Sequence, residues 1–250
     1  MNEMRWNLDK LYTSFDSKEF KADFDAVDQK IEEIKKWSAE NFKDNNNAAQ
    51  KLEEYIKNET AFMEFVYPLF QFASLTTSVE AKNKDAQSYL EQLRIKFVAL
   101  TQSSVMYEKW IGNLKNLDAI IDSSGFLKNF KFILKETAEK KKYLLSEKEE
   151  ISIAKMRQTG STAWSTLQNN LTANLLVDIE IDGEKKHLPL PVVRNMAHDK
   201  SSDIRKKAYE AELEAYKKIE ESSAACLNAI KGERLSLSKM RGYDSIIDKV

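Results

Sequence analysis

Hydrophobic residues recur at steps of four and three along most of the chain. Phe20, Phe24, Val27, Ile31 and Ile34 fall on one stripe with Lys and Glu opposite, which predicts an amphipathic helix. This helix follows an N-terminal segment that contains Trp6, Leu8, Leu11 and Tyr12. Asp16 followed by Glu19 has capping-box spacing and predicts its start, and Asn45, Asn46 and Asn47 predict its end. A second helix, from near Ala48, carries Leu52, Tyr55, Phe62, Val66 and Leu69. Pro68, which has no amide hydrogen, predicts a bend within it. From Asn83 a four-three pattern runs through Ala86, Leu90, Leu93, Phe97, Leu100, Ser104, Tyr107, Ile111 and Leu114, the length expected of a long antiparallel helical hairpin. A coiled-coil dimer would use a similar seam, but the aromatic and Ser positions depart from one.

The helical pattern breaks around Ser123, Ser124 and Gly125, and a boundary is expected near residue 114. Phe126, Phe130, Ile133 and Leu134 predict a shorter helix. Ser146 and Glu149 form a Ser-x-x-Glu capping box, so a helix should run from Glu147 to near Gly160. Trp164, Leu167 and Leu171 predict one more. The period then changes to two. Leu175, Val177, Ile179 and Ile181 alternate with Leu176, Asp178, Glu180 and Asp182, and Asp182-Gly183 predicts a turn into a return strand around Lys186 to Leu190. Pro191 suits the first turn of a short helix. Ser201, Ser202 and Asp203 predict the start of a last helix, with Ile204, Ala208, Ala211, Ala215, Ile219, Ser222, Cys226 and Ala229 on one small-residue face and Gly242 as its stop. The residues after Gly242 read as the start of a further segment, so the chain is expected to be a truncated portion.

Composition supports this mainly α reading. The 250 residues hold six glycines and three prolines, where average usage would supply roughly 30 of the two together. At 42% hydrophobic the chain can build a sizeable core. Its 39 Lys and Arg against 40 Asp and Glu give a net charge of -1, which offers no pull toward nucleic acid or an anionic membrane. The stretch Phe62 to Leu75 contains Glu64, Pro68 and Gln71 and falls short of the roughly 18 apolar residues of a membrane span. With one cysteine and no signal-peptide pattern, the expected location is the cytoplasm.

No catalytic, cofactor-binding or metal-ligating residue can be nominated. Zinc hydrolases commonly place two histidines four residues apart in His-Glu-x-x-His, which puts both on one helix face. The only histidines here, His187 and His198, do not have that spacing and read as ordinary surface or partly buried residues. Cys226 reads as a packed thiol. Glu147, Glu149 and Glu150 are accounted for by the favourable interaction of negative charge with a helix start, and Lys140 to Lys142 by a solvated face. Neither a Gly-x-Ser-x-Gly elbow nor a phosphate-binding Gly-x-x-x-x-Gly-Lys loop is present.

Several segments taken in order resemble the oligoendopeptidase F branch of the M3 peptidases. They are Trp6-Asn7-Leu8-Asp9-Lys10-Leu11-Tyr12, Ser17-Lys18-Glu19-Phe20, Leu145-Ser146-Glu147-Lys148-Glu149-Glu150 and, most specific, Thr159-Gly160-Ser161-Thr162-Ala163-Trp164-Ser165-Thr166-Leu167. Further on come Arg205 with Ala208, Leu227-Asn228-Ala229-Ile230-Lys231-Gly232 and Lys239-Met240-Arg241-Gly242-Tyr243-Asp244-Ser245. The resemblance implies the N-terminal lobe of an M3-type peptidase, with an N-terminal helical region over 1–113, an oligopeptidase F-type domain over 114–184 and the start of a peptidase domain over 203–250. It implies that the complete enzyme binds zinc through residues beyond Val250 and cleaves short unfolded peptides, this portion forming a wall of the cleft and holding no zinc itself. The chain alone is then expected to be inactive. A non-catalytic helical module that binds peptides or a protein partner is the competing expectation, and such a module should bury the apolar face of its final helix.

Overall fold

In the computed structural model, residues 7–80 and 83–249 are described, so Trp6 lies outside the described residues. They divide into two units. The first runs to Lys155 and includes Arg241–Tyr243; the second covers Met156–Met240 and resumes at Asp244.

The first unit opens with α1 (Lys18–Asn41), whose cap lies one residue later than expected. Ser17 is extended and its hydroxyl accepts from the Phe20 amide at 3.2 Å, whereas Asp16 pairs with Lys21 at 2.7 Å. Only Ser17 stands three residues before an amide its side chain reaches. The helix closes at Asn41, before the asparagine run, and Asn47, at φ 53°, leads into α2 (Ala48–Val79). That helix runs unbroken through Pro68, because the residues around it, Val66, Leu69, Phe72 and Ala73, are all buried and packing outweighs one missing hydrogen bond.

The long pattern after Asn83 is two helices, α3 (Lys84–Val98) and α4 (Thr101–Ile111). Tighter bonds from Ala99 to Lys96 and from Leu100 to Phe97 separate them. The halves serve different cores. Leu93, Phe97 and Leu100 pack with Phe20, Val27, Ile31, Phe62, Val66, Leu69 and Phe72, whereas Tyr107, Trp110 and Ile111 pack with Phe42, Leu52, Tyr55, Ile121, Leu127 and Leu134. A straight helix would carry one stripe past both. Short helices α5 (Leu117–Asp122), α6 (Gly125–Lys128) and α7 (Lys131–Lys140) complete the second cluster, with Leu134 buried but Ile133, expected on the same side, exposed. A 3-10 turn (Lys141–Tyr143) leads into α8 (Glu147–Thr159), where both halves of the expected box form: the Ser146 amide donates to Glu149 at 2.8 Å and the Glu149 amide to Ser146 Oγ at 3.3 Å.

In the second unit, α9 (Ser161–Ala173) precedes the antiparallel hairpin β1 (Leu176–Ile181) and β2 (Glu184–Pro189). Asp182 and Gly183 both have positive φ, 54° and 81°, the backbone that a two-residue hairpin turn needs. Val177 and Ile179 face inward onto Leu190 and Val193 of α10 (Leu190–Asn195) and Ala208 and Ala215 of α11 (Ser202–Tyr216), with Ser201 capping α11. The expected single helix from 201 to Gly242 is in fact two, α11 and α12 (Glu220–Met240), parted by tight turns at Lys217, Lys218 and Ile219. No Gly or Pro announces that break. It lets Ala208, Ala215 and Ile219 stay on the hairpin's core while α12 runs along α9.

Candidate functional site

Two of the segments singled out in the sequence are joined in the first unit. Glu150 sits in the first turns of α8, 7% exposed, and its two oxygens each accept at 2.6 Å from the two terminal nitrogens of Arg241, 91 positions away. Arg241 also donates to the Tyr143 carbonyl at 3.2 Å, and Glu150 accepts from the Leu145 amide at 3.0 Å. The rings of Tyr143 and Tyr243 stack at 3.8 Å. Burial by itself would raise Glu150; the Arg241 fork, the Leu145 amide and nearby Lys109 outweigh it and hold the carboxyl below its ordinary range. Glu108 on α4 goes the other way, raised by burial and by the charge of Glu150 against partial relief from Lys140 and Arg241. Glu150 therefore corrects the reading of the three glutamates as one dipole-facing group: Glu149 caps, and Glu150 is a buried ion-pair partner. Lys140, Lys141 and Lys142 are all exposed, as a solvated face requires, and the Lys141 stem lies where a Cβ at Gly112 would stand.

The most specific segment, around Gly160, owes its character to a residue that sequence reasoning missed. Glu233 of α12 accepts from the Ser161 amide and hydroxyl, both at 2.8 Å, and from Arg157 Nε at 3.0 Å, so one helix caps the start of another. A Cβ on Gly160 would stand 2.8 Å from Glu233 Oε2 and 3.0 Å from the Met156 carbonyl, which explains the glycine. Burial pushes Glu233 up, but Ser161 and Arg157 prevail and hold it low. Nothing local in the sequence marks Glu233, because its partners lie 72 and 76 positions away.

In the second unit a shallow groove of about 530 Å³ is lined by Leu167, Asn170, Leu171, Asn174, Leu175, Leu176, Lys218 and Ile219. His187 pairs across the hairpin with Asp178, which also accepts from Lys218 at 2.6 Å; Lys218, then His187, keep Asp178 ionised below the ordinary range. His198 lies in a separate 3-10 turn (Met196–His198). Cys226 is buried, with 1% exposure.

Residues 113–175 match the family model described as Oligopeptidase F. Over 255 aligned residues the chain is 22% identical to "Oligoendopeptidase F, plasmid" of Lactococcus lactis subsp. cremoris, an alignment that covers 97% of this chain and 40% of the relative. The chain resembles the N-terminal portion of oligoendopeptidase F. The oligoendopeptidase F homolog of Lactococcus lactis subsp. lactis strain IL1403 matches with the same identity and coverage. The crystal structure of oligoendopeptidase-F from Enterococcus faecium shares the fold, with a TM-score of 0.73 at 16% identity over 93% of this chain and 46% of that one. The chain thus spans about 40% of the length of its curated oligoendopeptidase F relatives.

Zinc, which the resemblance implies, does not fit the residues present. Among the described residues no three His, Cys, Asp or Glu side chains are gathered where they could hold a metal. The one histidine beside a carboxylate, His187, shares that carboxylate with the Lys218 ammonium, which would repel a cation.

Proposed function

We propose that this chain serves as the N-terminal lobe of a zinc-dependent oligoendopeptidase, forming one wall of a cleft in which short unfolded peptides are hydrolysed. The observation that carries the reading is the coextensive likeness: one alignment to a relative named oligoendopeptidase F runs through 97% of the chain. In this reading residues 1–113 are a helical region, 114–184 the oligopeptidase F domain and 203–250 the opening of the peptidase domain. The zinc ligands, in a His-Glu-x-x-His helix, belong to sequence this chain does not contain, and the lobe acts by excluding folded proteins from the cleft. The cytoplasm is the compartment assigned to it.

The state of α12 supports a lobe over a self-contained binding module. Of its 21 residues only Cys226, Leu237 and Ser238 are buried, and Leu227 and Leu235 are each 53% exposed. A free-standing module would bury that face.

The test is cleavage of quenched peptides with added zinc, by this chain alone and by a chimaera in which it replaces the matching 40% of the Lactococcus relative. The chimaera is expected to cleave short peptides in a chelator-sensitive manner and to spare a folded protein, and the chain alone to cleave nothing. Cleavage by the chain alone would put the chemistry within these 250 residues. A chimaera with native helical content and no activity would remove the cleft-wall role.

A further inference from the structure

Arg241, Gly242 and Tyr243 belong to the first unit although the residues on either side of them belong to the second. We propose that these three residues are a strap, a conformational device that fastens the turn and first helical turns at 143–150 and keeps that segment from opening. The inference goes beyond the peptidase reading and does not depend on it.

Contacts from these three residues converge on one short stretch. Arg241 forks both oxygens of Glu150 and reaches the Tyr143 carbonyl, while Tyr243 stacks on the ring of Tyr143. Glu150 in turn holds the Leu145 amide. The side chains of Arg241 and Glu150 are 16% and 8% exposed, so each is largely shielded from the water that would otherwise solvate it when its partner leaves. Gly242, at φ +76°, turns the backbone between Arg241 and Tyr243, in a conformation that other residues adopt with strain.

Arg241 also faces two carboxylates, Glu150 in direct contact and Glu108 close by, with Lys109 and Lys140 as the remaining cations near them. Removing the guanidinium leaves two acids facing each other in a largely buried place. The local capping box does not draw on the strap: the Ser146 amide is held by the Glu149 carboxylate and the Glu149 amide by the Ser146 hydroxyl. A built-in contrast follows. Loss of the strap should loosen Leu145 and the Glu150 contacts, while the box at Ser146 persists longest.

Amide hydrogen exchange on the full 250-residue chain, read by peptide mass, tests this with Arg241→Ala, Arg241→Lys and Tyr243→Ala. Arg241→Ala is expected to speed exchange across 143–150 by about tenfold or more, with α1 and α2 unchanged. Arg241→Lys keeps the charge but not the fork, and Tyr243→Ala keeps the fork but not the stack. Both are expected to fold if Arg241→Ala does not, and to loosen the same stretch by a smaller factor. Unchanged exchange at 143–150 in the variants that fold overturns the strap. Equal acceleration throughout the chain overturns it as well, since the pair would then be a general contribution to stability.

Discussion

The two units bury their helices by different means. In the first, α1 and α2 interlock through large rings: Phe20 meets Phe72 at 5.8 Å and Tyr89 of α3 at 4.8 Å, and Tyr55 stacks on Tyr107 at 4.1 Å. In the second, the core cluster is Leu175, Val177, Ile179, Leu190, Val193, Ala208 and Ala215, mostly smaller side chains, and α9 buries no residue fully. The pair α9 and α12 therefore leans on polar contacts such as the Glu233 cap. Stability in the first unit should respond to volume, and in the second to individual hydrogen bonds.

The sharpest way to break that contrast is Phe20→Ala. Phe20 is 0% exposed at the centre of the aromatic cluster, so its loss should cost about 3–5 kcal/mol. Urea unfolding of the first unit reads this directly, and a loss under about 1 kcal/mol would mean the rings repack. Next is Glu233→Ala, which strips acceptors from the Ser161 amide, the Ser161 hydroxyl and Arg157; about 1–3 kcal/mol is expected, with faster exchange in α9 and none in α1. Glu233→Gln should recover part of it.

A smaller effect of opposite sign is expected at Glu108. Its carboxyl is raised in the folded chain, so its contribution is fully favourable below the ordinary glutamate value and is lost as pH rises through the folded value. Glu108→Gln should therefore stabilise the chain at pH 7 by under about 1 kcal/mol and flatten the stability profile above about pH 4.5. Glu150 is lowered, so its contribution holds above that value and falls away on further acidification. Thermal melts from about pH 2.5 to 8 separate the two. Smallest of all, Leu227→Ala on the open face of α12 should change stability by no more than about 0.5 kcal/mol.

The same contrast governs what the sequence disclosed. Where a short period decides the structure, the sequence sufficed: Asp182-Gly183 between alternating residues produces the hairpin, and Ser146 with Glu149 produces the box. The mainly α lobe was legible for that reason, together with its likeness to oligoendopeptidase F. The breaks after Val98 and Tyr216 were not, since neither stretch contains a Gly or Pro, and each exists because its flanking helices pack into different surroundings. Nor could the sequence tell Glu150 from Glu147 and Glu149. All three stand in the first turn of α8, and only Arg241, 91 positions on, selects which one is buried. Glu233 was invisible for the same reason of distance.

The buried side chain of Cys226 gives this molecule an internal clock. It is the chain's sole cysteine, it lies at 1% exposure, and it sits in the first half of α12, a helix whose residues are mostly open to water. A thiol reagent can reach it only while the packing around it opens, so in the slow-reagent regime the labelling rate reports how much of the time that packing is open. A helix with only three buried residues thus carries its own chemical reporter, with no label introduced.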